Sequence, residues 1–562
     1  MSELLTTVAI LFIIAGPFLL LADRFDLPAV PLLILSGIFA GTVFIQQDDL
    51  LVELAQYGIA LLVFAFGVGI QLDAIRTVLA DSEIAALGQI LVIGSLGTAF
   101  GVALGVPLAE ASVLGVAAAL SSTMVGTALV RTEIRMNLVR GRLSESLHFV
   151  QDLFAIAVVL IVGAGVIAAD PIATQLGYGV VLLAAAVAVN RYLFGLLGRL
   201  ADGSDELMIV GVVSLLVVFI GVAELAGVSI VVGAFAAGIA VRHDRGEHLG
   251  LFTGLESIKD FFLAIFFVTV GALVAVPFLE TGPAASVEKL LLATGLIVLV
   301  VLIKPAVTIA ILMYKGYEAR TATLTAITTD QVSEFSLIIA IEAFLIGILT
   351  QSVFDAIIFA AAVTMVISSL TQRHDEAIYR LLSSRGLVST RHDKIDELSN
   401  VPDDITDHVV IVGYGRTGSH LVETCKTLEK PYVVIENDPT RREAVRVECD
   451  AYVFGDAMEE YTWEKAGVER ADIVISTTPS DPVSWRLLAF EFEADLILRS
   501  PTQQTALELL EAGATYVVVS DLLAGEQLLR RIEALLEGES TAEQLRDERL
   551  EELDRRSVTE NR

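Results

Sequence analysis

Apolar stretches recur along this chain from residue 4 to about residue 371, and most approach the roughly 20 residues that a helix needs to cross a hydrocarbon layer. Lipid offers no water to the backbone, so runs of this kind must satisfy their amides and carbonyls internally, as helices do. The stretches fall near 4–22, 28–46, 53–71, 84–107, 111–131, 144–168, 173–195, 206–226, 228–242, 258–278, 288–314, 320–347 and 352–372, about thirteen in all. Composition agrees: 55% of the 562 residues are hydrophobic and mean hydropathy is +0.72, beyond a soluble globular protein of this size. The N-terminal run MSELLTTVAILFIIAGPFLLLA lacks a basic leader and a small-residue cleavage site, so it reads as a first membrane helix.

The charges between the stretches give the orientation. With the C-terminal half placed in the cytoplasm, the inner loops carry Arg24, Arg76, Arg131, Arg135, Arg140, Arg142, Arg191, Arg199, Arg242, Arg245, Lys259, Lys315 and Arg320. The outer loops carry Asp48, Asp49, Glu110, Asp170 and Glu280, with Lys289 their one basic residue. That asymmetry is the positive-inside rule, and it favours an odd number of spans with the N-terminus outside. The formal charge of −31 is shared between the halves, with 29 acidic against 15 basic residues in 1–372 and 39 against 22 in 373–562. Such a balance speaks against nucleic acid as a partner, because phosphates reward Lys and Arg. Scarce Lys and abundant acid read as adaptation to high salt, where screening weakens self-repulsion. Two cysteines, Cys425 and Cys449, imply no disulfide framework.

From Thr371 the composition turns polar, with a charged linker over 373–407, an α/β pattern over 408–537 and a charged tail over 538–562. Short apolar runs (VVIV, YVVIE, AYVF, ADIVIS, DLIL, TYVVV) alternate with helical stretches, which points to a parallel sheet. Gly413, Gly415 and Gly418 form G-x-G-x-x-G straight after the first run, and Glu436 ends the second, 18 residues beyond Gly418. Glycines there permit a tight turn and close approach of phosphates to a helix N-terminus, and the acid takes ribose hydroxyls. The same VGYG run mimics a potassium-channel filter, but a filter lies between membrane helices and this one opens a Rossmann unit.

Within the membrane part, Asp152 lies in the run LHFVQDLFAIAVVLIVGAGVIAA beside Gln151. A carboxylate at that depth costs several kcal/mol unless it faces a cavity or partner, so it marks a site able to hold a proton or a metal cation. Two spans carry polar, weakly helix-favouring runs: Ser121, Ser122 and Thr123 in one, and Thr328, Thr329, Asp330, Ser333 and Glu334 in the other. If segments 1–6 and 8–13 are inverted repeats, these are the fifth of each, and discontinuous helices there would line a midplane ion site. Hydrogen bonding between intact helices is the alternative. Lys304 sits deep in LIVLVVLIKPAVTIAIL, where it must pair or lose its proton, with Asp152 or a nearby polar group as partner. Pro305 lets the helix loosen beside it. A purely structural ion pair remains open for Lys304, as does a structural role for Glu334. Glu224 and Glu342 read as interfacial.

The order SSTMVG, FVQD, a mid-helix lysine and QVSEFSLIIA resembles the cation:proton antiporter-2 family, and within it the Kef-type potassium efflux systems, over essentially all of 1–372. That resemblance implies that Asp152 carries cation and proton in turn, with Gln151, Ser122, Thr123, Lys304 and Glu334 around it. Gln151 stands where electrogenic relatives have a second aspartate, which implies one-for-one, electroneutral exchange. VVIVGYGRTG, VVIEND and FGDAMEEYTWEKAGVERADIVISTT resemble a TrkA-N or RCK-type regulatory domain. That resemblance implies NAD(H) or an adenine nucleotide such as AMP at Gly413, Gly415, Arg416, Thr417, Gly418, Glu436 and Asp456, and a homodimer. No metal cofactor and no hydride-acceptor site are expected, which sets aside a membrane-anchored oxidoreductase. The expectation is therefore a multi-span α-helical membrane domain with inverted repeats and two discontinuous helices, followed by a soluble α/β Rossmann-like domain. It would exchange K⁺ or Na⁺ for protons across the plasma membrane, with a nucleotide-gated cation channel as the rival.

Overall fold

The computed structural model describes residues 3–25, 27–44, 49–69, 75–135, 138–162, 169–201, 204–242, 249–279, 281–388, 392–490, 493–538, 540–547 and 549–550. The loop charges Asp48, Arg245 and Glu280 and the end of the charged tail lie outside them. The chain divides into two units, residues 1–389 and 390–562.

The first unit is helical. Its elements are α1 (Glu3–Arg24), α2 (Ala29–Val43), α3 (Asp49–Gly69), α4 (Ile75–Ala103), α5 (Leu108–Ala119), α6 (Thr123–Gly126), α7 (Arg131–Arg135), α8 (Val139–Val162), α9 (Ala169–Ala188) and α10 (Phe194–Ala201). They continue with α11 (Asp205–Leu225), α12 (Ile230–Ala240), α13 (Leu249–Ala272), α14 (Pro283–Val298), α15 (Lys304–Lys315), α16 (Ala319–Ile327), α17 (Glu334–Leu345), α18 (Gln351–Arg373) and α19 (Asp375–Ser384). Every apolar stretch of the sequence contains helix, and among the described residues eight helical runs are long and apolar enough to cross a membrane. Ile13, Leu91, Val210 and Val217 stand exposed on α1, α4 and α11, as lipid-facing side chains do. Inside, α2 packs along α13 and α3 along α12.

Two spans are broken. α5 stops at Ala119, Leu120 is extended (φ −80°, ψ 147°), and Ser122 caps α6 by accepting from the Val125 amide at 3.2 Å. α16 stops at Ile327, and Ser333 caps α17 by accepting from the Phe335 amide at 3.0 Å. Ser and Thr compete for the backbone through their own hydroxyls, so they interrupt a helix and then cap the next one. At 9 and 12 residues, α16 and α17 are each too short to span lipid alone. A third irregularity is a π-helical turn, Leu299–Ile303, between α14 and α15. Pro305 follows it and offers no amide to the preceding turn, which is where a helix widens.

Lys289 departs from the sequence expectation. It is buried rather than in an outer loop, donates to the Ala275 carbonyl at 2.6 Å and pairs with buried Asp355, which the sequence had not singled out. The pair ties α14 to α18. At the basic ends of α8 and α16, Arg140 meets Asp375 at 2.6 Å and Arg320 meets Glu376 at 3.0 Å, so α19 is docked on this unit.

The second unit opens with α20 (His392–Leu398) and continues β1 (His408–Val412), α21 (Arg416–Thr427), β2 (Tyr432–Glu436), α22 (Arg442–Glu448), β3 (Tyr452–Phe454), α23 (Glu460–Lys465) and β4 (Ala471–Ser476). It closes with α24 (Asp481–Ala489), β5 (Asp495–Ser500), α25 (Gln503–Glu511), β6 (Tyr516–Val519) and α26 (Ser520–Leu536). The strands form one sheet in the order β3-β2-β1-β4-β5-β6, and every pairing is parallel. β1 and β2 are buried on both faces, which explains their unbroken apolar runs. The strand order reverses between β1 and β4, and the crevice beyond their carboxyl ends is where ligands bind in such sheets.

Candidate functional site

In the helical unit the two breaks meet. Ser121 Oγ donates to the Thr329 carbonyl at 3.0 Å, and Ser336 Oγ of α17 donates to the Ala117 carbonyl of α5 at 3.3 Å. Four helix ends therefore converge, two carboxyl-terminal and two amino-terminal. The backbones come close enough that a Cβ on Gly126 would overlap His148 Nε2, the Thr328 carbonyl and Gln331 Nε2.

At the amide ends sit carboxylates. Asp152, on α8 and 2% exposed, accepts from the Thr123 hydroxyl at 2.8 Å. Glu334, at the first position of α17, lies beside the Ser122 hydroxyl and the amides of Thr123 and Met124 at the start of α6. Negative charge at a helix N-terminus is favourable, which helps Glu334 tolerate burial at the start of α17. Gln151 Oε1 accepts from the Ser121 amide at 2.7 Å, while its Nε2 finds no partner among the described residues. Glu334 Oε2 is likewise unpartnered. Asp152, Gln151, Ser122 and Glu334 thus form one buried cluster, with half-buried Thr123 at its edge.

Lys304 belongs to the other pair of ends. Its ammonium donates to the Leu120 carbonyl at 3.0 Å and to the Gln331 carbonyl at 2.7 Å, not to Asp152. Those carbonyls close α5 and follow α16, so the lysine offsets two negative helix ends and uses two of its three donors. Gln89 supports it, donating to the Ala119 carbonyl at 3.3 Å and accepting from Thr308 at 2.9 Å.

The sequence had not assigned a role to Gln331 or His148. Gln331 Nε2 donates across the crossing to the carbonyls of Ser122 (2.9 Å) and Thr328 (3.0 Å), and its Oε1 accepts from Ser368 at 3.0 Å. His148, one turn before Asp152, places its ring nitrogens 2.6 Å from the Ser144 carbonyl and 3.1 Å from that of Thr328. A neutral ring can donate to one of these carbonyls and a charged ring to both. The signal for Gln331 stood inside QVSEF; nothing local marks His148 apart from its four-residue spacing from Asp152. Glu224 is exposed at the end of α11, and half-buried Glu342 accepts from Ser229 at 3.0 Å.

In the α/β unit, Gly413 turns with φ +91°, and a Cβ on Gly418 would overlap the Gly413 carbonyl. A Cβ on Gly415 would have only Arg441 Nη1 near it, at 3.8 Å, so the space over the loop is open. Arg416 and Thr417 are exposed at the N-terminus of α21, and Arg441 hangs beside the loop, donating to the Tyr414 carbonyl at 2.5 Å. These residues fit a phosphate group: the helix N-terminus with its amides, and the Arg441 guanidinium, lie at one loop.

Glu436 does more than the sequence suggests. Its Oε2 accepts from the Tyr414 amide at 2.7 Å, and its Oε1 from the amides of Asn437 and Asp438, both at 2.9 Å. Burial pushes its carboxyl above the usual range, against those amides, which hold it down. A carboxylate offers about four acceptor sites, so one remains on Oε2 for a ribose hydroxyl. Asp456 is buried past the end of β3, beside the Glu436 edge of the sheet, and its Oδ1 caps the following turn at the Met458 amide (2.9 Å). Thr477, unmarked in the sequence, closes the crevice from β4 by donating to the Val412 carbonyl at 2.8 Å. Burial pushes the Cys449 thiol up to about 11, which disfavours its thiolate.

A family model described as sodium/hydrogen exchanger, transmembrane, matches residues 8–373, and one described as TrkA-N domain matches residues 409–520. The putative cation/proton antiporter YbaL of Escherichia coli K12 is 26% identical over 560 residues, covering 96% of this chain and 99% of its own. The putative K⁺ efflux antiporter KefB of Alkalimonas amylolytica is 25% identical over 537 residues, covering 92% of this chain and 79% of its own. Among solved structures, the TrkA-N domain of the E. coli inner membrane protein YbaL is 30% identical and covers 23% of this chain and 97% of its own, with a TM-score of 0.22.

Proposed function

The chain belongs to the sodium/hydrogen exchanger family, and we propose that it exchanges a monovalent cation, K⁺ or Na⁺, for protons at Asp152. It is a cation/proton antiporter with a TrkA-N domain, not an enzyme. The observation that carries the assignment to Asp152 is its burial at the crossing of two broken helices, with the Thr123 hydroxyl 2.8 Å away. One carboxylate cannot hold a proton and a cation together, so the two compete for it. Alternating exposure to either side, by movement of one bundle against another, turns that competition into exchange. Thr123 and Ser122 supply oxygens beside the carboxylate, Gln151 holds the Ser121 amide, and Glu334 adds negative charge. Lys304 keeps the carbonyl ends of the breaks in place. With Gln151 where a second acid would stand, the exchange is one-for-one and electroneutral.

The nucleotide module regulates this exchange. NAD(H) or an adenine nucleotide would place its phosphates on Gly413, Gly415, Arg416, Thr417 and Gly418, and its ribose on Glu436, with Asp456 on the adenosine side. The bound nucleotide supplies charge and contacts to the crevice and no chemistry of its own. The membrane domain covers 1–372, the module 408–537 and the tail 538–562, and the connecting residues 373–407 include α19, docked on the first unit, and α20, which opens the second. The protein lies in the plasma membrane with the N-terminus outside and the module in the cytoplasm, on the charge asymmetry of its loops. It works as a homodimer, and the exposed leucines of α26 support that. The experiment is proton flux in proteoliposomes against K⁺, Na⁺ and Li⁺. Asp152→Asn is expected to abolish cation-dependent proton flux; a variant with normal flux ends the assignment, and current without proton counterflow identifies a channel.

A further inference from the structure

The crossing carries more acid than the exchange site uses. Asp152, Glu334 and Asp330 are all buried there, beside the ammonium of Lys304. Lys304 bears on Asp330, yet no ion pair within 4.0 Å joins Asp330 to any cation among the described residues. Asp330 stands in the second break, 2% exposed. Its Oδ2 accepts from the Thr371 hydroxyl at 2.5 Å, and its Oδ1 has no hydrogen-bond partner among the described residues. A buried carboxylate oxygen without a donor bears its full desolvation cost, which a bound cation removes.

The surroundings supply further oxygens. Ser368, Thr371 and Gln372 share one face of α18 by their spacing of three and four. The Ser368 hydroxyl lies beside the Asp330 carboxylate and accepts from Gln372 Nε2 at 3.0 Å. Gln372 Oε1, on a side chain 5% exposed, has no partner either. Thr371 donates its proton to the carboxylate and keeps its lone pairs free. All three lie in the last turns of α18, whose C-terminal dipole favours positive charge. One carboxylate with neutral hydroxyl and amide oxygens balances a single positive charge, which suits an alkali cation and leaves a divalent ion undercompensated.

We infer that Asp330, with the hydroxyls of Thr371 and Ser368 and the amide oxygen of Gln372, forms a second site for the transported monovalent cation, separate from Asp152. The inference rests on the antiporter reading above and deepens it. On the orientation proposed there, α18 ends at the cytoplasmic face, so the site lies on the cytoplasmic side of the crossing. A cation stops there on its way to or from Asp152, and the charge of Lys304, which bears on Asp330, limits how tightly it is held.

The test uses Tl⁺ as the probe on the full chain. Anomalous diffraction from Tl⁺-soaked crystals is expected to show one peak at Asp152 and a second at Asp330 Oδ1. Asp330→Asn removes the second peak and keeps the first. In proteoliposomes the same variant raises the half-saturating Tl⁺ concentration by about fivefold to tenfold, more than it lowers the maximal rate, the pattern of a lost binding contact. Thr371→Val, which keeps the carboxylate, gives a smaller rise of about two- to threefold and decides the matter if Asp330→Asn fails to fold. A single peak at Asp152, or unchanged half-saturation in the folded variants, overturns the second site while leaving the first intact. Failure of the first is read independently, from flux surviving in Asp152→Asn.

Discussion

A lysine ammonium buried in a membrane protein must be answered, and Lys304 is answered by carbonyls. The Leu120 and Gln331 carbonyls accept hydrogen bonds from it where two helix runs end. Removing the ammonium leaves both acceptors buried and unpaired. Lys304→Met is therefore expected to cost about 2–5 kcal/mol, the range for stranding a partner of a buried charged hydrogen bond. Thermal unfolding in detergent checks the magnitude. Lys304→Arg retains the charge but carries a planar fork into a site shaped for a compact ammonium, so it recovers only part of the stability. Equal stability of wild type and Lys304→Met would show that the ammonium carries no such burden. The depth of Lys304 was plain from the apolar run around it, but its partner was not. Asp152 was one of two partners the sequence allowed, and the fold chose the other.

At the scale of elements, a glycine loop and two helix breaks do the positioning. Gly418 has no room for a side chain, because its Cβ would overlap the Gly413 carbonyl. Gly418→Ala is expected to displace α21 from β1, destabilise the α/β unit by about 1–3 kcal/mol, and weaken nucleotide binding. Calorimetric titration with NADH and AMP reads the second effect, and full-strength binding would remove the loop from the site. The loop was readable from spacing alone, since strand, glycines, helix and acid occur within one short stretch. Arg441 and Thr477 were not, because they reach the crevice from beyond β2 and from the end of β4. The helix breaks were legible as polar runs with weak helix preference. Their mutual contact, through Ser121 with Thr329 and Gln331 with Ser122, joins residues about two hundred positions apart and leaves no local trace.

At the scale of the molecule, an antiporter and a TrkA-N domain are joined in one chain that separates into units at residues 1–389 and 390–562. If the second regulates the first, a chain ending at Ser389 keeps cation/proton exchange and loses its response to NADH, NAD⁺, AMP and ATP. Parallel proteoliposome assays of both lengths check this, and a nucleotide effect surviving truncation would relocate the sensor. α19 stays with the first unit through Arg140–Asp375 and Arg320–Glu376, so the truncated chain retains that docked helix. The sequence by itself determined the class of each half, because hydrophobic run length and the period of apolar residues are local quantities that the solvent enforces residue by residue. It singled out Asp152 as a candidate for the same reason: a charge among apolar neighbours is costly wherever the helix packs. Only the tertiary structure decided which helix ends meet, that Lys304 serves carbonyls, that Lys289 and Asp355 form a buried pair, and that Asp330 keeps an unpartnered oxygen. Those are properties of pairs far apart in sequence, and burial and hydrogen bonding assign them only once the chain has folded.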